Sequence, residues 1–205
     1  MENAIEVCGL CKTYPNFSLD HVSFTVPRGC IMGFIGENGA GKSTTIKALM
    51  NLIHRDAGVV EIFGMALDEH ENEIKEKIGV VFDECCFHDN LTPYDISKIL
   101  GNIYQNWDWK LYEQYLTQFG LAKKKKIKEF SRGMKMKLGI AAALAHKPDL
   151  LILDEATSGL DPIVREEILD IFLDFIQDEH HAILISSHIT SDLDKIADYL
   201  TFIHQ

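Results

Sequence analysis

Gly36-Glu37-Asn38-Gly39-Ala40-Gly41-Lys42-Ser43 runs as a glycine, four free positions, then Gly-Lys-Ser. That is the spacing of a phosphate-binding loop. Its glycines permit backbone angles that a side chain would block, so successive N–H groups can converge on phosphate oxygens. Lys42 is placed to reach the β- and γ-phosphates of a nucleotide, and Ser43 to hold Mg²⁺. Gly36, Asn38, Gly39, Ala40, Gly41, Lys42, Ser43 and the following Thr44 are therefore candidate nucleotide contacts. A second group lies far downstream. Leu150-Leu151-Ile152-Leu153-Asp154-Glu155 is an apolar run ending in two acids. The tip of a buried strand is a rigid mount for a carboxylate beside a bound phosphate. Asp154 suits a Mg²⁺-linked acid, and Glu155 a carboxylate that polarises an attacking water. Two such acids could also be a polar turn, and it is the phosphate loop that favours the chemical reading.

Both groups need elements that hold them still. Ile31–Ile35 before the loop reads as a buried strand, and Thr44–Met50 after it as the start of a helix whose positive N-terminal end adds to the phosphate site. Strand-like runs recur at Ile5–Val7, Val22–Val26, Val59–Phe63, Val80–Phe82, Leu150–Leu153, Ile183–Ser186 and Leu200–Ile203. Their β-branched content and turn-like flanks support the assignment. The runs near residues 5, 22 and 59 suggest an antiparallel layer. Those at 31–35, 150–153 and 183–186 look buried on both faces, as in a parallel sheet. Residues 93–145 differ, with helical periodicity and no clear strand. Thr92 suits an N-cap with Pro93 in the first turn, followed by Ile96, Ile99, Leu100 and Ile103 as an apolar stripe. A second helix is expected through Leu111, Tyr115, Leu116 and Phe119, ending at Gly120. A further helix opens at Pro162. The chain stops just after a strand, which leads us to expect a missing C-terminal piece.

Composition narrows the class. The 205 residues suffice for one sizeable domain with a full core. The 20 basic and 31 acidic residues give a net charge of −11, which argues against a broad nucleic-acid-binding face. No apolar run approaches the roughly 20 residues that span a bilayer, and the acidic N-terminus lacks a hydrophobic signal core. A cytosolic location is the expectation. Cys8 and Cys11 form a CxxC, but no second CxxC or pair of histidines completes a zinc set. Together with Cys30, Cys85 and Cys86 they read as reduced thiols. Lys123-Lys124-Lys125-Lys126 reads as a solvated face, with a contact to acidic lipid headgroups or to a partner as the alternative.

Four further segments give the chain its resemblance to a family. Phe130-Ser131-Arg132-Gly133-Met134 stands ahead of the acidic strand, Ser158-Gly159-Leu160-Asp161-Pro162 follows it, Ser187-His188 ends the next strand, and Tyr14 precedes the phosphate loop. In that order the whole chain resembles the nucleotide-binding domain of an ATP-binding cassette (ABC) protein. The resemblance implies an α/β fold: a P-loop NTPase core with a mixed parallel sheet, an N-terminal antiparallel β layer and an inserted α-helical subdomain. Residues 1–92 and 146–205 would be the core and 93–145 the helical subdomain.

The resemblance also implies roles. Tyr14 would stack on adenine. Glu155, His188 and Lys42 would act on the γ-phosphate. Ser43, Asp154 and Asp83 would serve Mg²⁺. Ser131, Gly133 and Asp161 would contact ATP held by a second ABC ATPase subunit, in a homo- or heterodimer joined head to tail. Two departures stand out. Asp83 occupies the family's Q-loop glutamine position, one methylene shorter and charged, so it would reach Mg²⁺ through water. Arg132 and Met134 replace the Gly and Gln of the Leu-Ser-Gly-Gly-Gln signature, and Arg132 either adds charge near the γ-phosphate or points to solvent. The implied function is ATP hydrolysis that drives transport through a separate transmembrane permease, from the cytoplasmic face of the membrane. The neighbourhood of Leu91-Thr92-Pro93 leans towards export. The alternative is a soluble ABC ATPase acting as a nucleotide-gated clamp. A small-molecule kinase would have no use for the signature, the 158–162 loop and His188 together.

Overall fold

The computed structural model describes residues 2–188 and 190–204. Among the described residues nine strands form two sheets. β1 (Asn3–Tyr14), β2 (Phe17–Pro27), β4 (Ala57–Ile62) and β5 (Met65–Ala66) make an antiparallel sheet in the order β2-β1-β4-β5. β6 (Ile78–Val81), β7 (Leu150–Asp154), β8 (Ala182–Ser187), β3 (Ile31–Ile35) and β9 (Tyr199–Phe202) make a parallel sheet in the order β6-β7-β8-β3-β9. Every strand expected from the sequence is present, and the fold class is the α/β arrangement that the resemblance implied.

The central strands of the parallel sheet are apolar throughout because both of their faces are covered. Alternate residues serve different layers. Met32, Phe34, Leu150, Ile152, Ala182 and Leu184 pack with the antiparallel sheet and with α1 (Lys42–Leu49). Ile31, Ile35, Leu151, Leu153, Ile183 and Ile185 pack on the other side with α5 (Arg132–Leu144), α6 (Pro162–Phe175) and α7 (Thr190–Ile196). The short α2 (Glu71–Glu76) precedes β6.

Between β6 and β7 the chain is helical. α3 (Pro93–Leu100) starts with the expected Thr92 cap, here a capping box in which Thr92 and Asp95 satisfy each other's backbone N–H. α4 (Trp109–Gln118) starts at Asp108, whose carboxylate accepts the Leu111 N–H, and it is followed by Gly120 at φ +64. A 3-10 turn at Ile127–Glu129 leads into α5. α5 has two buried faces. Leu138, Ala141, Ala142 and Ala145 join Ile96, Tyr112 and Leu116 of α3 and α4, whereas Met136, Ile140, Ala143 and Leu144 join the main core. It is therefore shared between the helical segment and the sheet. Among the described residues no helix is long and apolar enough to cross a membrane.

Candidate nucleotide site

The carboxyl ends of β3, β7 and β8 lie side by side, and the candidate residues sit on them or just beyond. Parallel pairing sets Ile35 opposite Ser187 and Asp154 opposite Ser186. The loop after β3 turns through Gly39 at φ +89 and Gly41 at φ +108, angles that disfavour any side chain. At Gly41 a Cβ would also come within 2.4 Å of Leu19 Cδ2 and 2.8 Å of Phe17 Cζ. Gly41 caps α1 without a side-chain hydrogen bond, so the first-turn amides have no acceptor from a capping side chain and face the loop as an anion-binding surface.

Lys42 is 6% exposed and curls over this loop. Its Nζ donates to the Gly36 carbonyl at 2.7 Å and the Glu37 carbonyl at 3.2 Å, and lies 3.7 Å from Glu155 Oε1. Ser43 Oγ donates to Asp154 Oδ1 at 3.2 Å. Asp154, 4% exposed, also accepts from Ser186 Oγ at 2.7 Å. Glu155 follows in a left-handed conformation, φ +54, which is uncommon for a residue with a side chain. Its N–H donates to Ser186, with Oγ at 3.1 Å and the carbonyl at 3.2 Å. Glu155 Oε2 lies 2.5 Å from His188 Nδ1. The structure thus brings Lys42, Ser43, Asp154, Glu155 and His188 into one cluster. It adds Ser186, which the sequence reading did not single out. The available signal was a polar residue ending an apolar strand beside the acidic one.

The other candidates stand elsewhere. Tyr14 ends β1 and is 41% exposed, with its ring 6.4 Å from the Phe17 ring and 5.5 Å from Lys12 Nζ. Since Phe17 and Leu19 crowd Gly41, the hairpin that carries Tyr14 rests on the phosphate loop. Ser131 Oγ caps α5 by accepting the Met134 N–H at 3.2 Å, and Asp161 caps α6 by accepting the Val164 N–H at 3.1 Å. A Cβ on Gly133 would come 3.3 Å from Val164, so the two capped ends are neighbours. Arg132 is exposed. Its guanidinium also covers Gly159, where a Cβ would lie 2.6 Å from one of its nitrogens.

Asp83 is exposed on the loop after β6 and, among the described residues, makes no hydrogen bond or ion pair with Ser43 or Asp154. It lines a cavity of about 860 Å³ between that loop and α5, together with Cys85, Tyr104, Arg132, Lys135 and His146. The run Lys123–Lys126 is exposed, and Lys123 pairs with Glu113 at 2.8 Å. All five cysteines are free thiols.

Comparison with known proteins places this arrangement in a family. The family described as ABC transporter matches residues 19–158. The bacitracin transport ATP-binding protein BcrA of Bacillus licheniformis is 39% identical over 208 residues, spanning 100% of this chain and 68% of that protein. The lantibiotic transport ATP-binding protein SrtF of Streptococcus pyogenes is 36% identical, spanning 98% of this chain and 87% of that protein. A solved structure described as the ATP binding subunit of an ABC transporter superposes with a TM-score of 0.88 at 29% identity, covering 98% of this chain and 86% of the other. This chain belongs to the ABC transporter family.

Proposed function

We propose that the chain is an ATP-hydrolysing subunit that powers transport, in the export direction, through a separate membrane-spanning permease. The observation that carries this reading is the single cluster in which Lys42, Ser43, Asp154, Glu155 and His188 converge at the ends of parallel strands. Relatives named for bacitracin and lantibiotic transport support the export direction.

In this reading ATP lies along the loop from Gly36 to Thr44, with Asn38, Gly39 and Ala40 giving backbone contacts and the adenine against Tyr14. Lys42 Nζ exchanges its bonds to the Gly36 and Glu37 carbonyls for phosphate oxygens. A cation that trades neutral carbonyls for anionic oxygens gains charge-assisted hydrogen bonds. The two hard oxygens of Ser43 and Asp154, already 3.2 Å apart, would hold Mg²⁺, with Asp83 as a further oxygen donor that would act through water. When bound, Mg²⁺ supplies neutralisation of charge on the β- and γ-phosphate oxygens. Glu155 orients the attacking water and accepts its proton. His188, held on Glu155, hydrogen-bonds the γ-phosphate beside that water. Ser131, Gly133 and Asp161 meet the ATP of a second ABC subunit, so each chain supplies half of two sites. Residues 93–145, with α5 shared with the core, form the helical subdomain, and the permease docks near it.

The test is steady-state ATPase activity. Lys42→Ala and Glu155→Gln should each lower turnover by at least about 10²-fold, the lower end of the range for losing one electrostatic or general-base contribution. Glu155→Gln should keep nucleotide binding. Wild-type turnover in either variant would sink the assignment.

A further inference from the structure

Nucleotide chemistry makes no use of the Cys8/Cys11 motif, and the structure parts its two members. Both pair with β4, Cys8 with Val59 and Cys11 with Ala57, but Cys8 is exposed, whereas Cys11 is half-buried at the β1–β2 irregularity between Leu10 and Lys12. Leu10 pairs with Val22 and Lys12 pairs with Leu19, so Asp20 and His21 together stand opposite Cys11. This is a β-bulge, two residues against one. In a regular strand, consecutive side chains point to opposite faces. Here the bulge, with His21 at φ +49, turns Asp20 and His21 towards the same sulfur.

The outcome is a cluster of three different ligand types. One ligand atom each from Cys11, Asp20 and His21 lies within 4.8 Å of the others. The Cys11 sulfur accepts the His21 N–H at 3.3 Å, and His21 Nδ1 lies 2.6 Å from Asp20 Oδ1. Cys11 is half-buried while the other two are exposed, so an ion could enter from solvent and be anchored on the sheet side by sulfur.

We propose that Cys11, Asp20 and His21 form a binding site for a borderline-soft divalent cation of the Zn²⁺ class. Thiolate, imidazole and carboxylate are the ligand types of such ions, and three protein ligands leave one tetrahedral position for water. Mg²⁺ and Ca²⁺ prefer all-oxygen sets and are excluded as occupants. Coordination replaces the Cys11 S–H bond by a sulfur–metal bond and releases that proton to solvent. The paired histidines or second CxxC expected of a zinc motif are not needed, because the neighbouring strand supplies the missing ligands. The site also sits on the hairpin that carries Tyr14 and presses Phe17 and Leu19 onto Gly41. Tying β1 to β2 at the bulge stiffens that hairpin, so the ion changes nucleotide affinity. This last step rests on the nucleotide-binding role proposed above.

The experiment is titration of the full chain with Co²⁺, followed by absorption in the near ultraviolet. One equivalent should give a sulfur-to-cobalt charge-transfer band that Zn²⁺ abolishes and excess Mg²⁺ does not. Cys11→Ser should remove the band, and His21→Gln should weaken binding by at least about tenfold. Cys8→Ser should leave it intact. Absence of the band, its equal loss in Cys8→Ser, or unchanged affinity in both His21→Gln and Asp20→Asn overturns the site. A second arm measures binding of a fluorescent ATP analogue with and without Zn²⁺. A change of about fivefold is expected in the wild type and none in Cys11→Ser. An unchanged nucleotide affinity beside an intact cobalt band overturns the link to the hairpin. Failure to bind the analogue at all, with the band intact, overturns the nucleotide reading instead.

Discussion

At the scale of single residues, the side chain that deserves a role beside the expected ones is Ser186. Asp154 accepts from Ser43 and Ser186 on the same oxygen, and the Ser186 hydroxyl in turn accepts from the Glu155 N–H. One hydroxyl therefore fixes both acids of the candidate site. Removing it leaves a buried carboxylate with one donor fewer, a loss of roughly 1.5–3 kcal/mol for a hydrogen bond to a charged group. Ser186→Ala should lower the urea midpoint accordingly and shift the Mg²⁺ dependence of ATPase activity to higher concentration, while Ser186→Thr recovers both. An unchanged Mg²⁺ dependence in Ser186→Ala would leave Ser186 with a packing role only. Lys42, Ser43, Asp154 and Glu155 were legible in the sequence because loop chemistry and an acid-tipped apolar strand each leave a local signature. Ser186 was not, since its partner stands on a neighbouring strand and only the parallel register brings the two together.

At the scale of elements, legibility followed the regularity of the pattern. β3 and β7 are unbroken apolar runs, and the Thr92, Pro93 and Gly120 signals marked helix ends that the structure reproduces. β1 and β2 are much longer than the runs Ile5–Val7 and Val22–Val26, because the register shifts beyond Val7 interrupt the alternation that reveals a strand. α2 is too short to display a helical period and buries only Ile74. The junction of α5 with β6 carries a consequence for pH. His146, 1% exposed, stacks on Tyr104 with centroids 4.0 Å apart and contacts the Ile78 carbonyl through Nε2 at 3.0 Å. Burial pushes its pKa below the ordinary value of 6.5, outweighing the opposing pull of the Ile78 and Ala142 carbonyls and Glu76. The unfolded chain therefore takes up the proton first. Stability is full above the unfolded value and falls as pH drops below about 6.5, with a slope of at most about 1.4 kcal/mol per pH unit. His146→Phe should flatten that part of the curve of unfolding free energy against pH. An equal slope in both proteins would show that other groups set the acid response.

At the scale of the whole molecule, the proposed pairing of two chains can be tested from where the candidate groups stand. The phosphate loop and the acids face one way through the strand ends. Ser131 and Asp161 are at the start of two helices, α5 and α6, that approach each other closely at Gly133 and Val164, with Arg132 laid over Gly159. Within the chain, each of these two side chains caps its own helix. The Ser131 hydroxyl accepts one N–H and still has a proton to donate, so capping does not use up its capacity to bind a phosphate from another subunit. If two copies pair head to tail, every site takes Glu155 from one chain and Ser131 from the other. This makes a prediction that a self-contained site cannot meet. Glu155→Gln and Ser131→Arg should each be inactive alone. In a mixed dimer one site carries both lesions and the other carries neither. Half of randomly exchanged dimers are mixed, each with one intact site of two, so an equimolar mixture should recover roughly a quarter of wild-type turnover under two-fold pairing. Recovery at that level in an ATPase assay requires that the catalytic residues act across the interface. A mixture as inactive as its components would mean that copies of this chain do not share their sites with one another.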